Sequence, residues 1–177
     1  VARFIEGSLD GKQPKPTDKA VSPADHWMLN NLQRTTKVVA GHLDGYRMSE
    51  AYETVYHFIW DDFADWYIEA SKREINPDLL AFGLESILKL AHPFAPFVTE
   101  TIWQTMPWTG DSVLMTQSWP KIGKVDDKKV TEFEEIRTIV SETRAIISAL
   151  KLRKTRLFYT DIPFLKDHAE MISGLAR

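Results

Sequence analysis

The chain has 177 residues, of which 44% are hydrophobic and 27% charged, and it contains no cysteine. This is ordinary globular usage; it excludes a disulfide framework and a thiolate metal site, and no apolar run approaches the roughly 18 residues of a membrane span. The net charge of −3 means that any contact with nucleic acid must come from a local basic patch. The start is too short and too charged for a signal peptide, and we expect a cytoplasmic location.

The first 22 residues form a predicted lead-in: residues 1–5 are the tail of a helix, and Gly7–Ser22 has a linker composition. The first long helix has clear start signals, with Ser22 as N-cap and Pro23 at the first helical position. Its apolar spacing continues to about Asp44-Gly45. The sequence therefore predicts a helix of about 22 residues.

A second long helix is predicted to start after Ser49 and to end at about Arg73. At the spacing of an α-helix, its core face falls within about 120°. The members of that face are Tyr52, Val55, Tyr56, Ile59, Phe63, Trp66, Tyr67 and Ala70. Phe58 and Ile68 lie outside the arc, so we expect this helix to be central and covered on more than one side.

Two shorter helices follow. Asn76 and Pro77 start the third as N-cap and first helical residue, and it ends at His92-Pro93 because a residue before proline is pushed out of the helical region. The fourth helix lies between Pro96 and Pro107. Four amphipathic segments with short connections predict a mainly α fold, with a helical bundle over residues 23–120.

The remainder, residues 121–177, is predicted to be a helix–strand–helix appendage, a small and incomplete α/β unit. A short strand at Val113–Met115 precedes it, within an irregular stretch. The fifth helix covers about Lys128 to Leu150, with a stripe of Phe133, Ile136, Val140, Ile147 and Leu150. A strand over Arg156–Thr160 and a last helix over Pro163–Leu175 complete the prediction.

The sequence contains no catalytic signature. It has no Gly-rich phosphate loop, no Gly-x-Ser-x-Gly elbow and no His-Glu-x-x-His helix. Glu53 and His57 are four residues apart without a second such pair, so we predict no metal site. Asp61, Asp62 and Asp65 form a carboxylate cluster, which we interpret as a solvated, salt-bridged helix face involving Glu69 and Arg73 rather than as an acid–base pair.

Two basic features could contact RNA. Asn30, Arg34 and Lys37 share the face of the first helix opposite its apolar stripe, where amide and guanidinium donors one turn apart can grip bases or phosphates. A simply solvated face is the alternative. The second feature comprises Arg144, Lys151, Arg153, Lys154 and Arg156. It is either a phosphate-tracking patch or a set of cations at a helix C-terminus followed by an edge strand.

The aromatic residues of the second helix are best explained by packing. Trp108 differs, because it follows Pro107 in a loop that contains Thr109 and Gly110. An aromatic ring there can stack on an unpaired RNA base. Trp108 is therefore a candidate RNA-binding residue.

Several strings, taken in order, resemble one protein family. They are DHWML at residues 25–29, FIWDDFADWYIEASK at 58–72, HPFAPFVTETIWQ at 92–104 and SWP at 118–120. Together they are similar to the anticodon-binding domain of class I aminoacyl-tRNA synthetases of the Val/Ile/Leu/Met group. The second and third strings favour the valyl members over isoleucyl or leucyl ones. Residues 128–177 show a weaker similarity to the small unit that follows this bundle in valyl enzymes.

The resemblance implies a function in recognising the anticodon stem-loop of tRNA. It also implies a monomeric parent enzyme that aminoacylates tRNA with ATP and Mg²⁺ bound elsewhere, because the His-x-Gly-His and Lys-Met-Ser-Lys-Ser signatures are absent here. We therefore expect this chain alone to be inactive and to hold no cofactor. In related synthetases the start of the first bundle helix takes part in anticodon reading, which favours Asn30, Arg34 and Lys37. A helical protein-interaction module without RNA binding is the alternative from a different class.

Overall fold

The computed structural model describes residues 1–8, 13–152, 158 and 161–176. The described part is mainly α, as predicted. Its helices are α1 (Ala2–Ser8), α2 (Pro23–Asp44), α3 (Met48–His57), a π-helical segment (Phe58–Ile68), α4 (Glu69–Ser71), α5 (Pro77–Ala91), α6 (Pro96–Thr105), α7 (Asp127–Ala149) and α8 (Pro163–Leu175).

Capping residues explain where the bundle helices begin. Ser22 and Asp25 form a capping box at the start of α2: the Ser22 hydroxyl accepts from the Asp25 backbone N–H, and the Asp25 carboxylate accepts from the Ser22 backbone N–H. The Asn76 side chain accepts from the Leu79 backbone N–H at the start of α5. The predicted limits of α2 and α5 are confirmed, and so are those of α8.

The predicted strand at Val113–Met115 is wrong. Leu114–Thr116 forms a single 3₁₀ turn instead. Its start is held by Glu100 of α6, whose carboxylate accepts from the Leu114 backbone N–H at 3.0 Å. Leu114 is buried while Met115 is 75% exposed, so the segment follows the surface of α6 and has no partner strand among the described residues.

The second long helix is continuous but changes its hydrogen-bonding pattern. It begins as α3, runs through the π-helical segment and ends as α4. A π-helix bonds residue i to i+5 instead of i+4, so each residue advances by less than the about 100° of an α-helix. This lag accumulates over the eleven residues of the segment.

This lag corrects the predicted core face. Phe58 and Ile68, which α-helical spacing placed outside the face, are buried. Tyr52 and Tyr56, which it placed in the core, are 51% and 45% exposed. Phe63 is fully buried, as predicted. The sequence-based stripe combined positions before and within the π segment that do not share a face.

The core lies between α2 and the helices around it. Helix α2 contacts α3, the π-helical segment, α5 and α7. At Gly83 of α5, a Cβ atom would lie 2.7 Å from the Phe63 ring, so the absence of a side chain lets α5 approach the π segment closely. Tyr67 donates a buried hydrogen bond of 2.9 Å to Asp25, joining the π segment to the start of α2.

Helix α7 packs against α2, and α8 contacts α7 and α4. Phe133, Ile136 and Val140 of the predicted stripe are buried and Ile147 is half-buried, but Leu150, the residue after α7, is 64% exposed. Of the predicted strand, only Phe158 lies within the described residues, where it is exposed and outside any strand. A domain boundary at residue 120 stays a prediction.

Candidate nucleic-acid interface

The polar face of α2 is open to solvent. Arg34 and Lys37 are exposed and Asn30 is half-buried one turn before Arg34. Neither Arg34 nor Lys37 forms a hydrogen bond or ion pair with another residue in the part of the chain that the structure describes. Their side chains therefore have free donors, at the spacing that places them on one side of the helix.

Arg34 lies beside a carboxylate of the π segment. Burial raises the pKa of Asp62 above its ordinary value of 3.8, while the nearby positive charges of Arg137 and Arg34 act in the opposite direction. Desolvation of Asp62, together with the negative charges of Asp61 and Glu134, outweighs these attractions. Positive charges from α2 and α7 thus act on one partly buried carboxyl group of the π segment.

The titration of Asp62 gives a testable effect on stability. Because the pKa of Asp62 is higher in the folded than in the unfolded state, the native state binds the proton more tightly. The free energy of unfolding therefore falls as the pH rises from about 3.8 through the folded pKa. We expect Asp62→Asn to raise the melting temperature at pH 7 and to have no effect below pH 3.8, measured by thermal denaturation. The exposed Asp65→Asn variant is the control; a lower melting temperature for Asp62→Asn at pH 7 would show that the arginine contacts dominate instead.

A stack of tryptophan and arginine side chains joins the same three elements. The Arg137 guanidinium lies 4.5 Å from the centroid of the Trp27 ring and 4.7 Å from that of Trp66. The Trp27 indole N–H donates to Glu134 at 2.5 Å, and Arg137 donates to the same carboxylate. Cation–π contacts on both faces hold this guanidinium in one orientation. Sequence reasoning missed Arg137, because its two tryptophans come from α2 and the π segment.

Arg144 is engaged within the protein. Its guanidinium donates twice to the Leu175 carbonyl oxygen, at 3.0 and 2.6 Å, and lies 5.2 Å from the Trp66 ring centroid. It therefore satisfies a carbonyl at the C-terminus of α8, where positive charge is favoured by the helix dipole. The sequence predicted an RNA contact for Arg144; its place in the structure is at the contact between α7 and α8.

Two further predicted residues, Trp108 and Lys151, belong to parts of the chain other than α2. Trp108 is half-buried, packs against the core and donates from its indole N–H to Glu85 of α5 at 3.1 Å. Lys151 is exposed just past the end of α7, with a left-handed backbone at φ 53°. Arg153 and Lys154 lie outside the described residues. The structure thus groups Asn30, Arg34 and Lys37 and separates them from Trp108.

The carboxylates of the long helix pair differently from the prediction. Asp61 pairs with His57 at 2.7 Å, Glu69 with Lys72 at 2.5 Å and Arg73 with Glu170 of α8 at 3.3 Å. No group of three possible metal-ligating side chains occurs within the described ranges. No helix described here is long and apolar enough to cross a membrane.

Comparison with known families identifies the bundle. Residues 25–157 match the model of the anticodon-binding domain of tRNA ligase. The chain belongs to this family. The match begins inside α2 and extends past the end of α7, so it includes the exposed face with Asn30, Arg34 and Lys37 and the Trp27–Arg137–Trp66 stack.

The relatives are valine–tRNA ligases, which confirms the predicted resemblance to the valyl group. The chain is 30% identical to the valine–tRNA ligase of Pseudothermotoga lettingae over 99% of its own length and 22% of that protein. It is 34% identical to the one from Listeria monocytogenes (83% of this chain, 18% of that protein) and 36% identical to one from Staphylococcus aureus (74% and 15%). The chain spans about a fifth of the length of these relatives.

Proposed function

We propose that this chain binds the anticodon stem-loop of a tRNA, within an intact protein that ligates valine to tRNA. The free donors of Arg34 and Lys37 on the exposed face of α2 carry the proposal. Unpaired loop bases expose their edges, and side chains on a helix face can reach them. Phosphate contacts would orient the RNA, and base contacts would specify it.

The stacking of Arg137 supports this proposal because it ties α2, the helix that carries Arg34, to the π segment and to α7. Arg137 is held between two indole rings, and Asp62 lies near both guanidinium groups. A binding face that is ordered before the RNA arrives loses less conformational entropy on binding. Asn30 and Arg34 are the candidates for base contacts in this proposal, and Lys37 for a phosphate contact.

The proposed chemistry of the intact protein lies outside this chain. ATP and Mg²⁺ would be bound in another part of that protein, because this sequence has no Gly-rich phosphate loop. The isolated chain is expected to bind RNA without activating valine, and the intact protein is expected to be a monomer. Trp108, Arg144, Lys151, Arg153 and Lys154 are secondary candidates for RNA contacts, with Trp108 and Arg144 already engaged within the protein.

The test compares two tRNA ligands. Titration with unmodified tRNA carrying a valine anticodon, against the same tRNA with a scrambled anticodon loop, should show tighter binding of the first. We expect the Arg34→Ala, Lys37→Ala double variant to lose about 5- to 150-fold in affinity for the first ligand, by analogy with the cost of a lost base contact in DNA readout. Loss of the Lys37 phosphate contact should also reduce the salt dependence by about one unit of log–log slope.

A matched control removes the same charge elsewhere. Lys121 and Lys124 are exposed in the loop before α7, and their double alanine variant has the same net charge as the α2 double variant. We expect the control to keep its preference for the valine anticodon. Equal losses in both variants would show that any affinity is only electrostatic. Equal binding of both tRNAs by the unchanged chain would refute anticodon recognition, because any RNA affinity would then be only electrostatic.

A further inference from the structure

A row of exposed aromatic rings follows the first half of the long helix. Tyr52, Tyr56 and Trp60 are 51%, 45% and 55% exposed, and adjacent ring centroids are 6.2 and 6.3 Å apart. We call these three residues the aromatic ladder. Large aromatic side chains that stay half in water while touching one another form a contiguous apolar surface, which is typical of an interaction site.

Neighbouring side chains hold the ladder in place. Tyr52 contacts the half-buried Phe94 edge to face, with centroids 5.8 Å apart. At the next turn, the ring centroid of His57 lies 5.7 Å from that of Tyr56. His57 Nδ1 lies 2.7 Å from a carboxylate oxygen of Asp61. The rings are therefore packed against the protein on one edge and presented to solvent on another.

The helix that carries the ladder is acidic. The continuous helix from Met48 to Ser71 carries six carboxylates and no lysine or arginine. Residues 90–120, which include Phe94 at one end of the ladder, carry two carboxylates and again no lysine or arginine. A phosphate backbone would be repelled here, because nucleic-acid binding depends on cations that neutralise phosphates. The ladder thus differs in chemistry from the exposed face of α2.

We propose that the aromatic ladder is a docking site for a basic segment of a partner protein. Guanidinium groups stack on aromatic faces and pair with carboxylates, and a row of rings flanked by acidic residues offers both contacts. The arrangement has an internal counterpart, since Arg137 lies between the Trp27 and Trp66 rings and pairs with Glu134. The first two exposed carboxylates that follow Trp60 in the sequence are Asp61 and Asp65.

A short peptide of alternating arginine and glycine is the probe. It is titrated against the chain and two variants, one with Tyr56→Ala and Trp60→Ala, the other with Asp61→Asn and Asp65→Asn. Binding is followed by calorimetry and by the NMR shifts of the tyrosine and tryptophan side chains. Because cation–π contacts at exposed sites are individually weak, we expect removal of two rings to weaken binding about 5- to 30-fold. Circular dichroism checks that the variants stay folded.

The control removes two exposed carboxylates from another helix. Glu135→Gln and Glu142→Gln on α7 change the net charge by the same amount as the Asp61, Asp65 variant. The proposal requires that this control bind the peptide as the unchanged chain does. Equal weakening in both carboxylate variants, or unchanged affinity in the ring variant, would overturn it. A short oligouridylate is titrated as well. If it binds more tightly than the peptide, and if the ring variant no longer binds it, the ladder is an RNA-binding site instead. These results are independent of the Arg34 and Lys37 titration.

Discussion

Replacing Trp27 by alanine is expected to lower the free energy of unfolding by about 3–5 kcal/mol, the usual cost of removing a buried tryptophan. For a chain of this length, that corresponds to a melting temperature lower by roughly 6–20 °C. Trp27 is fully buried, and its ring lies 5.2 Å from that of Phe133, so it fills the contact between α2 and α7. Its loss leaves a cavity and also removes one of the two rings that hold Arg137.

Thermal and urea denaturation measure the effect. Trp60→Ala is the matched control, because it makes the same chemical change at a side chain that is 55% exposed. It is expected to cost less than about 1 kcal/mol, as most exposed substitutions do. Trp27→Phe should lie between the two, since it keeps most of the apolar ring but loses the indole donor to Glu134. Similar small losses for Trp27→Ala and Trp60→Ala would show that α7 does not depend on this contact.

Replacing Asp25 by alanine is expected to cost about 2–4 kcal/mol, because it removes a helix cap and leaves several donors without an acceptor. Asp25 is 3% exposed, with no cation paired to it among the described residues. It accepts from the Val21 and Ser22 backbone N–H groups, the Tyr67 hydroxyl and the Asn76 side-chain amide. These contacts join the start of α2 to the π segment and to the start of α5.

The Asp25→Asn variant distinguishes hydrogen bonding from charge. One Asp25 oxygen accepts all three N–H donors, and the other accepts only the Tyr67 hydroxyl. An asparagine can keep the first role with its carbonyl and donate its amide N–H to the Tyr67 oxygen, since a hydroxyl also accepts. We expect it to recover more than half of the loss, measured by urea denaturation. Equal losses for Asn and Ala would show that the negative charge is what the site requires.

Burial and the nearby Asp25 carboxylate raise the pKa of Tyr67 well above its ordinary value of 10.0. The hydroxyl therefore stays protonated and remains a donor to Asp25 at neutral and moderately alkaline pH. Tyr67 was predicted only as an apolar core residue. Its polar role depends on Asp25, 42 positions away in the sequence, and no local pattern indicates that pairing.

The helix starts that have local causes could be predicted from neighbouring residues. Ser22 with Asp25, and Asn76 with Pro77, satisfy or replace backbone donors within one turn, so the starts of α2 and α5 could be predicted from neighbouring residues. The same holds for α8, which begins at Pro163. The exposed, basic face of α2 also follows from α-helical spacing, since Arg34 and Lys37 lie opposite the buried stripe.

Features that depend on packing between helices could not be predicted from any one segment of the chain. The π segment brings Phe58, Phe63, Tyr67 and Ile68 into the core, a set that α-helical spacing does not place on one face. In α3, Tyr52 is exposed against the α-helical expectation. Arg137 stacks between rings from two other elements. Long-range contacts of this kind have no periodic signature, because periodicity reports only how one element repeats along its own axis. The charge and aromatic content of a surface can be predicted from the sequence, but which of its side chains stay free for a partner is decided by the fold.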